Sequence, residues 1–200
     1  MSKTTFSIGI TGGIACGKSE TGRILEALGV AVCDADQVAH RQMLPGTPVF
    51  QEIVRAFGPQ VLNEEGSIDR GSLGQLVFCD PKALQRLNAM VHPAVQDAIR
   101  SWLSAQQGLC AVMVPLLYEV GWEEMWDAVI CVAASRQNML ERLTRRGFSE
   151  EESCRRIQAQ MELNEKISRA DYVIYNDGTL AELRENTLGV VERIKCERMQ

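Results

Sequence analysis

The sequence predicts an α/β fold, a five-stranded parallel sheet flanked by helices. Three observations carry this. Short, continuous apolar runs bounded by turn residues recur along the 200 residues, which is how strands buried on both faces read. Longer amphipathic stretches alternate with them, as crossover helices would. The first run also leads directly into a glycine-rich turn followed by a helical pattern.

Residues 6–10, Phe-Ser-Ile-Gly-Ile, form the first predicted strand, and the helix after the turn extends to about Leu28, where Gly29 closes it. Residues 30–33 give a second buried strand, and residues 109–114, 128–132 and 172–175 give three more. A last helix is expected over residues 180–194.

Two stretches interrupt the alternation. About 70 residues separate the second and third strands, where a simple crossover needs a dozen or slightly more. Helical patterns near 49–57, 72–78, 81–90 and 93–106, with turns at Pro45-Gly46, Gly58-Pro59 and Glu65-Gly66, predict a helical subdomain over residues 37–108. It is read as grafted on a single domain spanning 1–200. The second stretch, residues 136–169, holds seven Arg and one Lys against six Glu, so it is net +2 inside a chain of net -5. Such a charge run is either a solvated helical face or a device for binding anions.

Composition narrows the function classes. With 46% hydrophobic residues there is enough apolar surface for a core, which excludes a disordered chain. The longest nearly apolar run, residues 109–118, is ten residues long and contains Pro115, too short for a membrane span. The N-terminus lacks the apolar stretch of a secretory signal. Net negative charge argues against a general nucleic-acid binder. Seven scattered cysteines with no Cys-x-x-Cys pair and only two histidines offer no zinc site and fit a reducing, cytoplasmic setting. Cys33, Cys110 and Cys131 lie in apolar runs and are expected in the core.

The glycine-rich turn is Gly12-Gly13-Ile14-Ala15-Cys16-Gly17-Lys18-Ser19, which matches G-x-x-x-x-G-K-[ST] in the required strand-to-helix context. Glycines let the backbone wrap closely, so that N–H groups from Gly13 through Glu20 can face phosphate oxygens. The helix behind adds its unpaired amides and positive dipole end. Lys18 would reach the β- and γ-phosphates, and the Ser19 hydroxyl would ligate Mg2+. The expectation is a nucleoside triphosphate site of the P-loop type. Neither a guanine-reading Asn-Lys-x-Asp nor a Leu-Ser-Gly-Gly-Gln signature occurs.

The second strand ends in Asp34-Ala35-Asp36. Residues two apart on a strand point the same way, and strand ends line the ligand crevice of such sheets. One carboxylate could hold Mg2+ through water while the other accepts a proton from the acceptor hydroxyl. A helix cap is the alternative for either of them. Phosphoryl transfer needs positive charge around the moving group. Arg142 and Arg146, four apart and hence on one helical face, would supply it from a mobile lid over residues 136–169.

With these pieces in place the chain resembles the dephospho-CoA kinase family over nearly its whole length. The resemblance runs through Thr11-Gly12-Gly13-Ile14, Gly17-Lys18-Ser19, Asp34-Ala35-Asp36, Pro45-Gly46, Phe57-Gly58, Asp69-Arg70, Val77-Phe78, Leu87-Asn88 and His92-Pro93. It continues through Pro115-Leu116-Leu117-Tyr118-Glu119, Arg142-Leu143 with Arg146, Arg156-Ile157 with Gln160, and Ala170-Asp171 with Val173-Ile174 and Asn176. It implies a P-loop core, a helical coenzyme-binding part and an arginine lid. The implied reaction is transfer of the ATP γ-phosphate to the ribose 3'-hydroxyl of dephospho-CoA, with Mg2+.

By position, Asp36 would be the base and Asp34 the magnesium-side carboxylate, both near the acceptor. Arg142 and Arg146 would clamp phosphates or stack near adenine. Asn176 and Gly178 would lie near the ATP base, and His92, Pro93 and Leu116 would help form the acceptor pocket. For His92 a structural histidine before a helix-starting proline is the alternative. The expected partners are ATP and dephospho-CoA, with no nucleic acid or membrane, and a monomer with an oligomer left open.

The chain departs from the family pattern at Ala15, Cys16, Glu20 and Met113. Ala15 must adopt backbone angles that a Cβ tolerates. Glu20 would oppose phosphate unless it turns away or pairs with a base such as Arg23. Met113 stands where many members carry Asp, which shifts magnesium binding toward Ser19, Asp34 and the nucleotide. Two other readings compete: a P-loop kinase of a nucleoside or shikimate-like alcohol, and a non-catalytic nucleotide sensor.

Overall fold

The computed structural model describes residues 5–198. Its elements are β1 (Thr5–Gly12), α1 (Lys18–Ala27), β2 (Ala31–Asp34), α2 (Ala35–Gln42), α3 (Pro48–Phe57), α4 (Arg70–Phe78), α5 (Pro81–Ser104), β3 (Gly108–Met113), β4 (Ala128–Ala133), α6 (Arg136–Arg145), α7 (Glu150–Gln158), α8 (Leu163–Arg169), β5 (Tyr172–Tyr175) and α9 (Leu180–Arg198). They fall into two compact units, one formed by the chain up to Cys33 together with the chain from Gln106 onward, the other by Asp34–Ala105.

The first unit is built on a parallel sheet of order β2-β3-β1-β4-β5. The β1 strand pairs in parallel with β3 and β4, and β4 with β5. Every residue of β4 is buried, which is why it reads as an unbroken apolar run, and Ile8 and Ile10 of β1 are buried beside it. Ile24 and Leu25 of α1 and Leu183, Val191 and Ile194 of α9 close the same core. Two carboxylates set where strands begin. Asp127 Oδ2 accepts from both the N–H and the hydroxyl of Ser7 at 2.8 Å, and Asp171 Oδ2 accepts from the Val129 N–H at 2.8 Å. Cys33, Cys110 and Cys131 are buried as expected, and burial pushes the Cys131 thiol up to about 12.

The strand order fixes where a ligand can sit. The chain leaves β1 for β2 at one edge, and β4 is added on the other side of β1. That reversal opens a crevice at the carboxyl ends of the strands, where the glycine-rich loop follows β1. Among the described residues no helix is long and apolar enough to cross a membrane.

The second unit is helical, with α2, α3 and α4 packed on α5. Its helix starts are locally encoded. Thr47, Asp69 and Asp80 cap α3, α4 and α5 by accepting from Phe50, Gly71 and Lys82 amides, and Pro48 and Pro81 occupy first-turn positions. Val49, Ile53 and Phe57 form the buried stripe of α3. One expectation needs correction here. The sequence pattern predicts two helices, near 81–90 and 93–106, but α5 runs unbroken through Pro93. An interior proline removes a hydrogen bond at a cost of about 3 kcal/mol. Val91, Val95 and Ile99 bury one continuous stripe across it, each worth roughly 1.5–3 kcal/mol, so the helix continues. Pro93 therefore starts no helix, and His92 lies mid-helix and half-buried. Burial lowers the His92 pKa below its ordinary 6.5.

Candidate active site

The loop between β1 and α1 is held open by close packing. Gly12, at φ +144, leaves no room for a side chain, because a Cβ there would overlap the Val132 carbonyl oxygen. Helices α2 to α7 open on capping side chains from Asp34, Thr47, Asp69, Asp80, Ser135 and Ser149. Helix α1 instead opens on Gly17 with no side-chain cap, so its first-turn amides lie at the loop. The Lys18 ammonium folds back over the loop, donating to Gly12 O at 3.0 Å and Gly13 O at 2.8 Å. Ser19 is exposed on the first turn of α1.

The departures at this loop resolve physically. Ala15 takes φ +59, the left-handed region, and is the one described residue other than glycine with positive φ. Cys16 is fully buried, its thiol donating toward Met139 Sδ at 3.5 Å, and burial raises its pKa. Glu20 pairs with Arg23 at 2.7 Å, so its charge is partnered. Met113 packs on α1, its sulfur 2.8 Å from where a Cβ on Gly22 would stand.

Two further segments brace the loop from its carbonyl side. Arg142 Nη1 donates to Ala15 O at 3.2 Å and Cys16 O at 3.5 Å, while its Nη2 donates to Asn176 O at 2.7 Å. Asn176 Nδ2 donates to Cys16 O at 2.8 Å. Asp177 accepts from the Ser135 N–H at 2.6 Å and from Asn138 Nδ2 at 2.8 Å. The Ser135 amide, with Asn138, holds the Asp177 carboxyl below the usual carboxylate range. Gly178 follows, packed against the Glu182 carboxylate.

The basic stretch divides into separate fates. Arg145, Arg156 and Arg169 pair with Glu141, Glu152 and Glu123, which is the solvated-face reading. Arg142 turns to the loop. Arg146, expected on the same helical face, is the exposed C-cap of α6, after which the chain turns at Gly147. A cavity of about 310 Å³ lies over Gly13 and Ile14, walled by Arg136, Met139, Ile157 and Gln160. The side-chain Oε1 of Gln160 accepts from the Ile14 N–H at 2.9 Å. Leu116 is exposed in the turn after β3.

The second unit carries Asp34, Asp36, His92 and Pro93. Asp34 Oδ1 accepts from the Asp36 amide at 2.9 Å and from the Gln37 amide at 3.4 Å, so it caps α2. The strand alternation expected to align the two carboxylates stops at Asp34, because α2 begins at Ala35. Asp36 is an exposed first-turn helix residue.

Among the described residues no cluster of three His, Cys, Asp or Glu side chains could hold a metal by itself. Hard oxygen donors exist at the Ser19 hydroxyl and at Asp34, whose Oδ2 takes no part in the cap. Each donor by itself suits a magnesium ion, which keeps several waters and binds mainly through nucleotide phosphates. Asp177, Asn138 and Gln160 carried no role in the sequence reading. Gln160 stood among the matched residues, and Asn176-Asp177-Gly178 is a turn signal, but their partners are remote in sequence.

Comparison with known proteins bears on this arrangement. A family model described as dephospho-CoA kinase matches residues 6–182. A dephospho-CoA kinase of Symbiobacterium thermophilum is 48% identical over 184 residues, covering 88% of this chain and 76% of that one. A crystal structure of a Thermus thermophilus protein superposes with a TM-score of 0.86 at 37% identity, covering 96% of this chain and 98% of that one. The dephospho-CoA kinase of Campylobacter jejuni superposes at 0.70 with 28% identity, covering 95% of this chain and 97% of its own.

Proposed function

The chain belongs to the dephospho-CoA kinase family, and we propose that Lys18, Asp36 and the arginines of residues 136–169 carry its reaction. It is an ATP-dependent kinase that transfers the γ-phosphate of ATP to the ribose 3'-hydroxyl of dephospho-CoA. The observation that carries the residue assignment is the uncapped N-terminus of α1 at a glycine loop whose carbonyls hold the Lys18 ammonium.

ATP phosphates would lie against the amides of Ala15, Gly17, Lys18 and Ser19, those of Ile14, Cys16 and Glu20 being bonded to Gln160 Oε1, Gly13 O and Gly17 O. Lys18 would exchange the Gly12 and Gly13 carbonyls for β- and γ-phosphate oxygens. Ser19 and Asp34 would hold Mg2+. The ion, when bound, offsets charge on the phosphate oxygens. Arg142 braces the loop and the Asn176 carbonyl, fixing the cradle beside the adenine end, while exposed Arg146 would be a further cation for the phosphates. In the helical unit Asp34 anchors the start of α2 and so sets the first turn that presents Asp36. Asp36 accepts the 3'-hydroxyl proton as that oxygen attacks the γ-phosphorus, and ADP leaves. His92, Pro93 and Leu116 are assigned to the acceptor pocket.

Asp36→Asn tests the central assignment. Transfer to dephospho-CoA should fall at least about 100-fold, the usual size of general-base loss, with MgADP affinity kept within about twofold. Transfer at the wild-type rate would remove Asp36 from the mechanism.

A further inference from the structure

Beside the phosphate loop, polar groups that the cradle does not require join into one ring. From Ile14, whose amide bonds Gln160, the chain passes to the next backbone amide, Met161 N–H, which donates to Glu119 Oε1 at 3.0 Å. The same oxygen faces Lys166 Nζ at 2.7 Å, and the Lys166 side chain is completely buried. Lys166 Nζ also donates to Pro115 O at 3.2 Å, and Thr11 Oγ1 donates to that carbonyl at 3.2 Å. The ring leaves the loop at Ile14 and returns to β1 at Thr11. It encloses Gly12 and Gly13, whose carbonyls carry the Lys18 ammonium.

A buried ammonium is costly unless a carboxylate and further acceptors surround it, and here both are present. Tethering α8 alone would need only the Glu119 and Pro115 contacts. Gln160 adds something else, since its partner is a backbone amide inside the glycine loop. A flexible loop with glycines on both sides of Ile14 would otherwise sample many geometries, and only some of them converge amides on phosphate.

We infer that Glu119, Lys166 and Gln160 are positioning residues, a clasp that holds the first half of the phosphate loop in its nucleotide-binding shape. The inference rests on the kinase reading above. The clasp acts through the loop and touches no reacting atom.

MgADP titration of the full chain, alongside steady-state transfer to dephospho-CoA, tests it with Gln160→Met, Glu119→Gln and the double variant. Each single variant should weaken MgADP binding about tenfold, the scale of one lost hydrogen bond of 1.4 kcal/mol. Because both break one ring, the double variant should lose about tenfold as well, not the roughly hundredfold of independent sites. The KM for ATP should rise in parallel, with the KM for dephospho-CoA unchanged within about twofold. A purely structural role would lower the melting temperature and leave these ratios alone. MgADP affinity within about twofold of wild type in Gln160→Met, or multiplying losses in the double variant, overturns the clasp. Should Glu119→Gln fail to fold, Gln160→Met decides alone. MgADP binding needs no acceptor, so a wild-type chain inactive on dephospho-CoA would overturn the acceptor assignment and leave the clasp to be judged by titration.

Discussion

Asn176 occupies the space that a side chain on Gly17 would need. Its Nδ2 donates to Cys16 O at 2.8 Å, and a Cβ on Gly17 would overlap that nitrogen. Gly17 also holds φ +106. The end of β5 therefore locks the end of the phosphate loop, and glycine is the residue that permits it.

Gly17→Ala should displace Asn176 and strain the backbone, destabilising the fold by about 2–3 kcal/mol and weakening MgADP binding. Urea unfolding with and without nucleotide measures both. An unchanged midpoint would mean that the Gly17–Asn176 packing is not needed.

Ala15→Gly should act in the opposite direction from most glycine substitutions. A left-handed alanine costs about 1–2 kcal/mol, and the added freedom of glycine in the unfolded chain costs about 0.4–1 kcal/mol. The variant is expected to gain roughly 0.5–1 kcal/mol in urea unfolding. A loss larger than about 0.8 kcal/mol, the worth of the buried Ala15 methyl, would show that φ +59 carries no penalty.

Arg142 and Arg146 should separate stability from turnover. Arg142→Met strips donors from three carbonyls and should cost about 1.5–3 kcal/mol, with weaker MgADP binding. Arg146 is exposed, so Arg146→Met should change stability by less than about 0.5 kcal/mol while kcat falls. Thermal melts and steady-state rates together decide it; the reverse pattern would exchange their roles.

His92 gives a pH signature. Its folded pKa is depressed by burial, so it favours folding above the ordinary value of 6.5, and that contribution is lost as pH falls through the folded value. Urea midpoints should decline from about pH 7 to pH 5, less steeply in His92→Gln. Identical slopes would exclude a buried neutral His92.

Much of this was legible in the sequence for a physical reason. Strands covered on both faces are mostly apolar, so β4 and the apolar centre of β1 announced themselves, and the glycine–lysine spacing marked the loop. The Glu20–Arg23 pair was also readable, because residues three apart on a helix are neighbours. What stayed hidden depended on partners far along the chain. Pro93 lies inside α5 because Val91, Val95 and Ile99 find buried contacts that spacing alone does not reveal. The Gln160–Ile14 bond spans 146 positions, and Arg142 bonds backbone carbonyls, which carry no sequence signal. Strand alternation failed to relate Asp34 to Asp36 because α2 starts one residue after β2 ends.

The most direct measurement identifies the product formed from Mg-ATP and dephospho-CoA by 31P NMR and mass spectrometry, with ADP release followed in parallel. One ADP should appear for each new phosphate, that phosphate should sit on the ribose 3'-hydroxyl, and Asp36→Asn should abolish it. ADP release without acceptor phosphorylation, or faster transfer to shikimate or a nucleoside, would contradict the account.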